Sequence, residues 1–113
     1  MIDDRPTIST PLVSIVVFGR AEPLRLDSVD WLLSGLKAQE YPHDRVEVIY
    51  TGSSQQAAAW QAARAAAQPF AELKILAHDR TGYCSHIHQG VMAASGEIIA
   101  LLDDYVRPGP GWL

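Results

Sequence analysis

The chain has 113 residues, of which 48% are hydrophobic, with a formal net charge of −4 and a single cysteine, Cys84. That length holds one domain with a core, and the composition excludes disorder, an internal disulfide framework and a four-cysteine zinc site. No cluster of Lys or Arg is present, which excludes nucleic acid and anionic membranes as main partners, although a metal or a helix N-terminus can still bind phosphate.

Residues 1–11 form a polar leader, with neither the basic nor the apolar region of a secretory signal. No apolar run reaches the roughly 20 residues of a membrane span. A reducing, cytoplasmic setting is expected. "LVSIVVF", residues 12–18, is a β-branched apolar run suited to a strand buried on both faces. Gly19 and Pro23 end it. "DSVDWLLSGLKAQE" then places Val29, Leu32, Leu33 and Leu36 at helical spacing, with Asp27 as N-cap and Tyr41-Pro42 as the stop. Trp31 is expected in the core.

"RVEVIYTGSS" predicts a second strand over residues 46–50 and a Gly-Ser turn. Ser53 or Ser54 caps the Ala-rich helix "QQAAAWQAARAAAQ", in which Trp60 is a core anchor. "ELKILAH" predicts a short third strand over residues 73–77, with His78 and Asp79 at its end. "RTGYCSHIHQGVMAAS" predicts a turn at Gly82 and a helix to about Ser95, with Gly96 as its C-cap. Ala93 and Ala94 fit close packing on a sheet. Cys84 is read as a packed thiol, and His86 and His88 as polar residues of the helix start, since a spacing of two on a helix does not converge on a metal. Residues 98–102 are the fourth strand.

The alternation β-α-β-α-β-α-β implies a Rossmann-like, open, mostly parallel α/β sheet with helices on both faces. No linker interrupts residues 12–113, so they form one unit. Ligands of such sheets sit at the carboxyl ends of the strands. Those ends are residues 18–20, 50–53 and 103–105. Asp103 and Asp104 either open a loop, facing water, or hold a divalent cation that completes its shell with water and phosphate oxygens.

"GVMAASGEIIALLDDYVRPGPGWL", with "LKAQEYP" and "VEVIYTGSS" before it, resembles the family 2 glycosyltransferases of the GT-A fold. The resemblance implies a nucleotide-sugar site. Asp103 stands at the first Asp of the family's Asp-x-Asp motif and Asp104 at its middle residue. Tyr105 stands where the family's metal-ligating Asp does, and a phenol that ionises near pH 10 is a poor ligand for a hard cation. Tyr50-Thr51 replaces a usual Asp-Asp, Gly19-Arg20 keeps the family's Arg, and Ile87-His88 replaces an Arg-Asn pair.

The implied donor-binding residues are therefore Arg20, Thr51, Ser53 and Asp103. The implied metal ligands are Asp103 and Asp104, for Mg2+ or Mn2+, weakened by Tyr105. The implied donor is a UDP-sugar, with Thr51 bonding uracil and Tyr50 stacking on it. In the family the acceptor half and the general base lie beyond the Trp-Leu, so the chain reads as a donor-binding half with no catalytic residue assigned. A second reading is a non-catalytic relic or interaction module that keeps the sheet. A third, an unrelated nucleotide-binding domain, lacks both the Gly-x-Gly-x-x-Gly and Walker-type loops. Trp112, Leu113 and Val106 should form an apolar patch that favours self-association or a partner chain. Arg107 either reaches phosphate or is solvated.

Overall fold

The computed structural model of the chain describes residues 10–19, 26–77, 83–104 and 106–113. The elements run β1 (Val13–Phe18), α1 (Leu26–Lys37), β2 (Val46–Gly52), α2 (Ser54–Ala62), β3 (Glu72–Ala77), α3 (Tyr83–Ala93) and β4 (Ile98–Asp103). All strand pairs are parallel, in the order β3-β2-β1-β4. This is the expected Rossmann-like sheet, and β1, one of its two inner strands, is the uncharged β-branched run. The helix expected to start after Asp27 begins by Leu26, so Asp27 lies within α1 and not at its cap.

Strand alternation divides the core. Val13, Ile15 and Val17 of β1, with Val46, Val48 and Tyr50 of β2, face α1 and α2 and bury Val29, Leu32, Leu33, Leu36 and Trp60. Trp31 falls on the other side of α1 and is 48% exposed, so the expectation of a core tryptophan there fails. The opposite sheet face is covered by α3 across β1 and β2. Gly90 permits the contact: a Cβ there would lie 2.3 Å from Val16 Cγ1.

The Ala-rich segment is shorter than its propensity predicts. The α-helix ends at Ala62, and residues Arg64–Ala67 form a 3-10 turn. Tertiary contacts override propensity here. Arg64 donates to the Leu73 carbonyl at 3.1 Å, and Ala71 N–H to the Val46 carbonyl at 2.9 Å, turning the chain into β3.

At the amino end of the sheet, buried Glu47 gathers three donors: the Ser14 hydroxyl at 2.8 Å, the Ser95 amide at 2.9 Å and the Lys74 ammonium at 2.9 Å. Gly96 N–H donates to Ser14 Oγ at 2.7 Å. Gly96 was expected as a left-handed C-cap, but its φ is not in that region. It is glycine for space: a Cβ would lie 2.7 Å from the Leu12 carbonyl oxygen. The cluster fixes where β4 begins.

The last residues fold back on α1. Gln39 donates to the Gly109 carbonyl at 2.6 Å and accepts from the Leu113 amide at 3.0 Å. Trp112 and Val106 are exposed as expected, whereas Leu113 packs against the core. Ile98, Ile99 and Leu101 of edge strand β4 are exposed too, as are Val91 and Met92 of α3. Among the described residues no helix is long and apolar enough to cross a membrane.

Candidate functional site

Three strand ends meet at the carboxyl edge. β1 pairs Phe18 with Thr51 on one side and with Asp103 on the other. Thr51, Phe18 and Asp103 therefore form one row on the face that α3 covers, where a Cβ on Gly90 would lie 3.3 Å from Thr51 Cγ2. Two strand spacings put Thr51 and Asp103 about 10 Å apart. Asp103 is half-buried, and Thr51 is fully buried. The Thr51 hydroxyl makes no hydrogen bond among the described residues.

Asp104 turns the other way. Its amide donates to the Phe18 carbonyl at 3.3 Å, and its side chain is fully buried near Tyr50 and Gly19. Two successive residues of an extended chain face opposite sides, so the aspartates do not converge. No group of three or more metal-ligating side chains occurs among the described residues. Among the described residues of the three strand ends, Asp103 is the carboxylate on the α3-covered face.

Tyr50 does not present its ring to a ligand, which corrects the expected stacking on uracil. The ring is buried against Trp60, centroids 4.8 Å apart and 21° between planes. Its hydroxyl donates to Gln56 Oε1 at 2.6 Å. Burial pushes the Tyr50 phenol pKa up, and the negative charge of Asp104 adds to that. The alternation of β2 explains the direction, since Tyr50 shares the face of Val46 and Val48.

Ser53 is the N-cap of α2, accepting from the Gln56 amide at 3.3 Å. The Ser-x-x-Gln spacing announces such a cap, but the Gln56 side chain goes to Tyr50 instead of returning to Ser53. Arg20, Tyr105, His78 and Asp79 lie outside the described residues. Arg107 is exposed and donates to the Trp31 carbonyl at 3.3 Å and to Ser34 Oγ at 3.4 Å, with its stem over Gly35. Cys84, expected to pack, is exposed.

Two contributors escaped the sequence. Gly19 is hemmed in: a Cβ would lie 2.5 Å from both the Tyr50 hydroxyl and Gln56 Oε1, and 3.3 Å from Asp104 Oδ2. His86 is 4% exposed, with Nδ1 2.9 Å from the Gly19 carbonyl oxygen. The signal was present. His86 lies four residues before Gly90, so a sheet-facing Gly90 puts His86 on the same side.

The family model for glycosyl transferase family 2 matches residues 14–113. The chain belongs to that family. Its fold is that of a solved mannosyltransferase from Pyrobaculum calidifontis, determined in complex with GDP-mannose and Mn2+, at a TM-score of 0.67 and 22% identity. The match covers 85% of this chain and 28% of that one. No curated protein matches the sequence.

Proposed function

We propose that this family 2 domain binds the nucleotide diphosphate of a sugar donor for transfer of the sugar to an acceptor hydroxyl. The observation that carries the reading is the row Thr51–Phe18–Asp103 at the carboxyl edge of a parallel sheet, where such folds take their ligands. Asp103 holds the donor and supplies one carboxylate to a divalent cation. Mg2+ and Mn2+ accept a single protein carboxylate when phosphate oxygens and water fill the rest of the shell. The cation, when bound, neutralises charge on the departing diphosphate.

Asp104, buried beside Tyr50 and Gly19, supports the strand end from the opposite face, and reaches a cation only if that face opens. Thr51, fully buried under α3, offers its hydroxyl to the base only if that cover opens, Ser53 lies at the α2 N-terminus, and Arg20 follows Gly19 as a phosphate contact. A UDP-sugar is the first donor in this reading. The solved mannosyltransferase was determined with GDP-mannose, so GDP-mannose is the second. Titration calorimetry of the chain with UDP and GDP, with Asp103→Ala as comparison, tests it. Binding lost in Asp103→Ala supports the reading, and equal heats from both proteins sink it.

The burial of Tyr50 favours one narrower conclusion. The position where the family usually carries a carboxylate is spent on core packing, so Tyr50 supplies no charge to the base. That same replacement is what a non-catalytic module retaining the sheet would show, and failure to bind either nucleotide would favour it.

A further inference from the structure

The contact between His86 and Gly19 is not explained by packing alone. A buried imidazole costs more than an apolar side chain unless it is hydrogen-bonded. Gly19 is the last described residue before Arg20, and its backbone is held on two sides. Its amide donates to the Thr51 carbonyl at 2.8 Å, and its carbonyl lies 2.9 Å from His86 Nδ1. A carbonyl oxygen only accepts, so Nδ1 carries the proton. The preceding carbonyl, of Phe18, accepts from Asp104 N–H at 3.3 Å. His86 on α3 is thereby linked through Gly19 and Phe18, at the end of β1, to Asp104, which follows β4.

We propose that His86 is a positioning residue, whose Nδ1–H fixes the Gly19 carbonyl and through it the end of β1 beside the Thr51–Phe18–Asp103 row. The inference rests on the donor reading for its consequence, but the contact itself can be tested without a nucleotide. Substitution of Gly19 cannot serve as the probe, because a Cβ there meets Tyr50, Gln56 and Asp104 at once. Substitution of His86 can. Leucine fills comparable volume without a donor. Asparagine places an amide N–H close to where Nδ1 sits, and should restore the bond.

The first measurement uses the unmodified chain. Nitrogen NMR of the histidine side chains should show His86 with a protonated Nδ1, and a bare Nδ1 would overturn the proposal. The second is amide hydrogen exchange. In His86→Leu, exchange at Gly19 should rise about fivefold, the factor one ordinary hydrogen bond supplies, with Leu36 and Ile49 unchanged. His86→Asn should return Gly19 to the original rate. Unchanged Gly19 exchange, or an equal rise at all three amides, would show a merely structural histidine and overturn the proposal. The third is affinity for UDP and GDP, which should weaken in His86→Leu by a similar factor and recover in His86→Asn. Nucleotide binding that His86→Leu leaves intact overturns the positioning role. Absence of binding by the unmodified chain instead overturns the donor reading, and with it any donor-site consequence of the contact.

Discussion

Thr51 and Asp103 flank Phe18 in a single register row, on the sheet face that α3 covers. Neither residue is near the other in sequence, and no side chain between them is charged. Among the described residues the row holds one carboxylate, since Asp104 turns to the Tyr50 side.

Tyr50→Phe should test that inner side. The substitution removes a hydroxyl bonded to Gln56 at 2.6 Å in a fully buried setting. It should cost about 1–2 kcal/mol by urea denaturation near neutral pH. The phenol pKa is raised in the folded state, so the stability it contributes is complete below the ordinary tyrosine pKa of 10.0 and is lost as pH rises above it. The loss of stability above that pH should be smaller in Tyr50→Phe. Identical alkaline profiles would contradict the burial of Tyr50.

Glu47 should show in acid. Burial raises its carboxyl pKa, but the Ser95 amide, Lys74 and Ser14 outweigh that and leave it below the usual 4.5. A carboxylate with a depressed pKa stabilises the fold above its unfolded value and loses that contribution as pH falls through the folded one. Unfolding followed from pH 6 to about pH 2 should show stability falling below roughly pH 4.5 in the unmodified chain, and a shallower fall in Glu47→Gln. Glu47→Ala should cost about 3 kcal/mol near neutral pH, because it leaves the Lys74 end of a partly buried pair uncompensated.

Much of this fold was legible in the sequence. Four largely apolar runs gave four parallel strands, although Glu47 and Lys74 put charge inside the second and third. Phase was harder to read than presence. Trp31 and Trp60 are both single tryptophans in helices, yet only the latter falls on the inward face. Ser14, Glu47 and Lys74 look like ordinary strand polar residues until Ser95 and Gly96 are brought against them across the sheet. At the site, Asp103 was found from its position at a strand end. His86 was not, because its inward direction shows only once Gly90, four residues on, is known to face the sheet.

Gly96→Ala tests the joint between α3 and β4. The added Cβ would lie 2.6 Å from Ser14 Oγ and 2.7 Å from two backbone atoms, the Leu12 oxygen and the Ser14 nitrogen. Backbone on both sides of the contact cannot rotate away, as a side chain can. The cost should be about 2 kcal/mol in chemical denaturation. A variant as stable as the original would mean that the chain between α3 and β4 takes another path.

The exposed edge should matter at high concentration. Ile99 and Leu101 project from an edge strand that carries no Lys or Pro, the usual devices against edge pairing. The isolated chain is predicted to associate in sedimentation experiments as concentration rises, and Leu101→Lys should shift it toward monomer. A monomer at all concentrations, unchanged by that substitution, would contradict the prediction.

The measurement closest to the central claim is calorimetric titration of UDP into four proteins with and without Mn2+: the unmodified chain, Asp103→Ala, Asp104→Ala and Tyr105→Asp. The unmodified chain should bind weakly, with Kd of about 1 mM, the range of a site with few contacts, and Mn2+ should strengthen it little. Asp103→Ala should abolish binding, whereas Asp104→Ala should chiefly lower stability. Tyr105→Asp should make binding metal-dependent, by adding the second hard-cation ligand that the family motif supplies. Tight, Mn2+-dependent binding by the unmodified chain that survives Asp103→Ala would contradict the account.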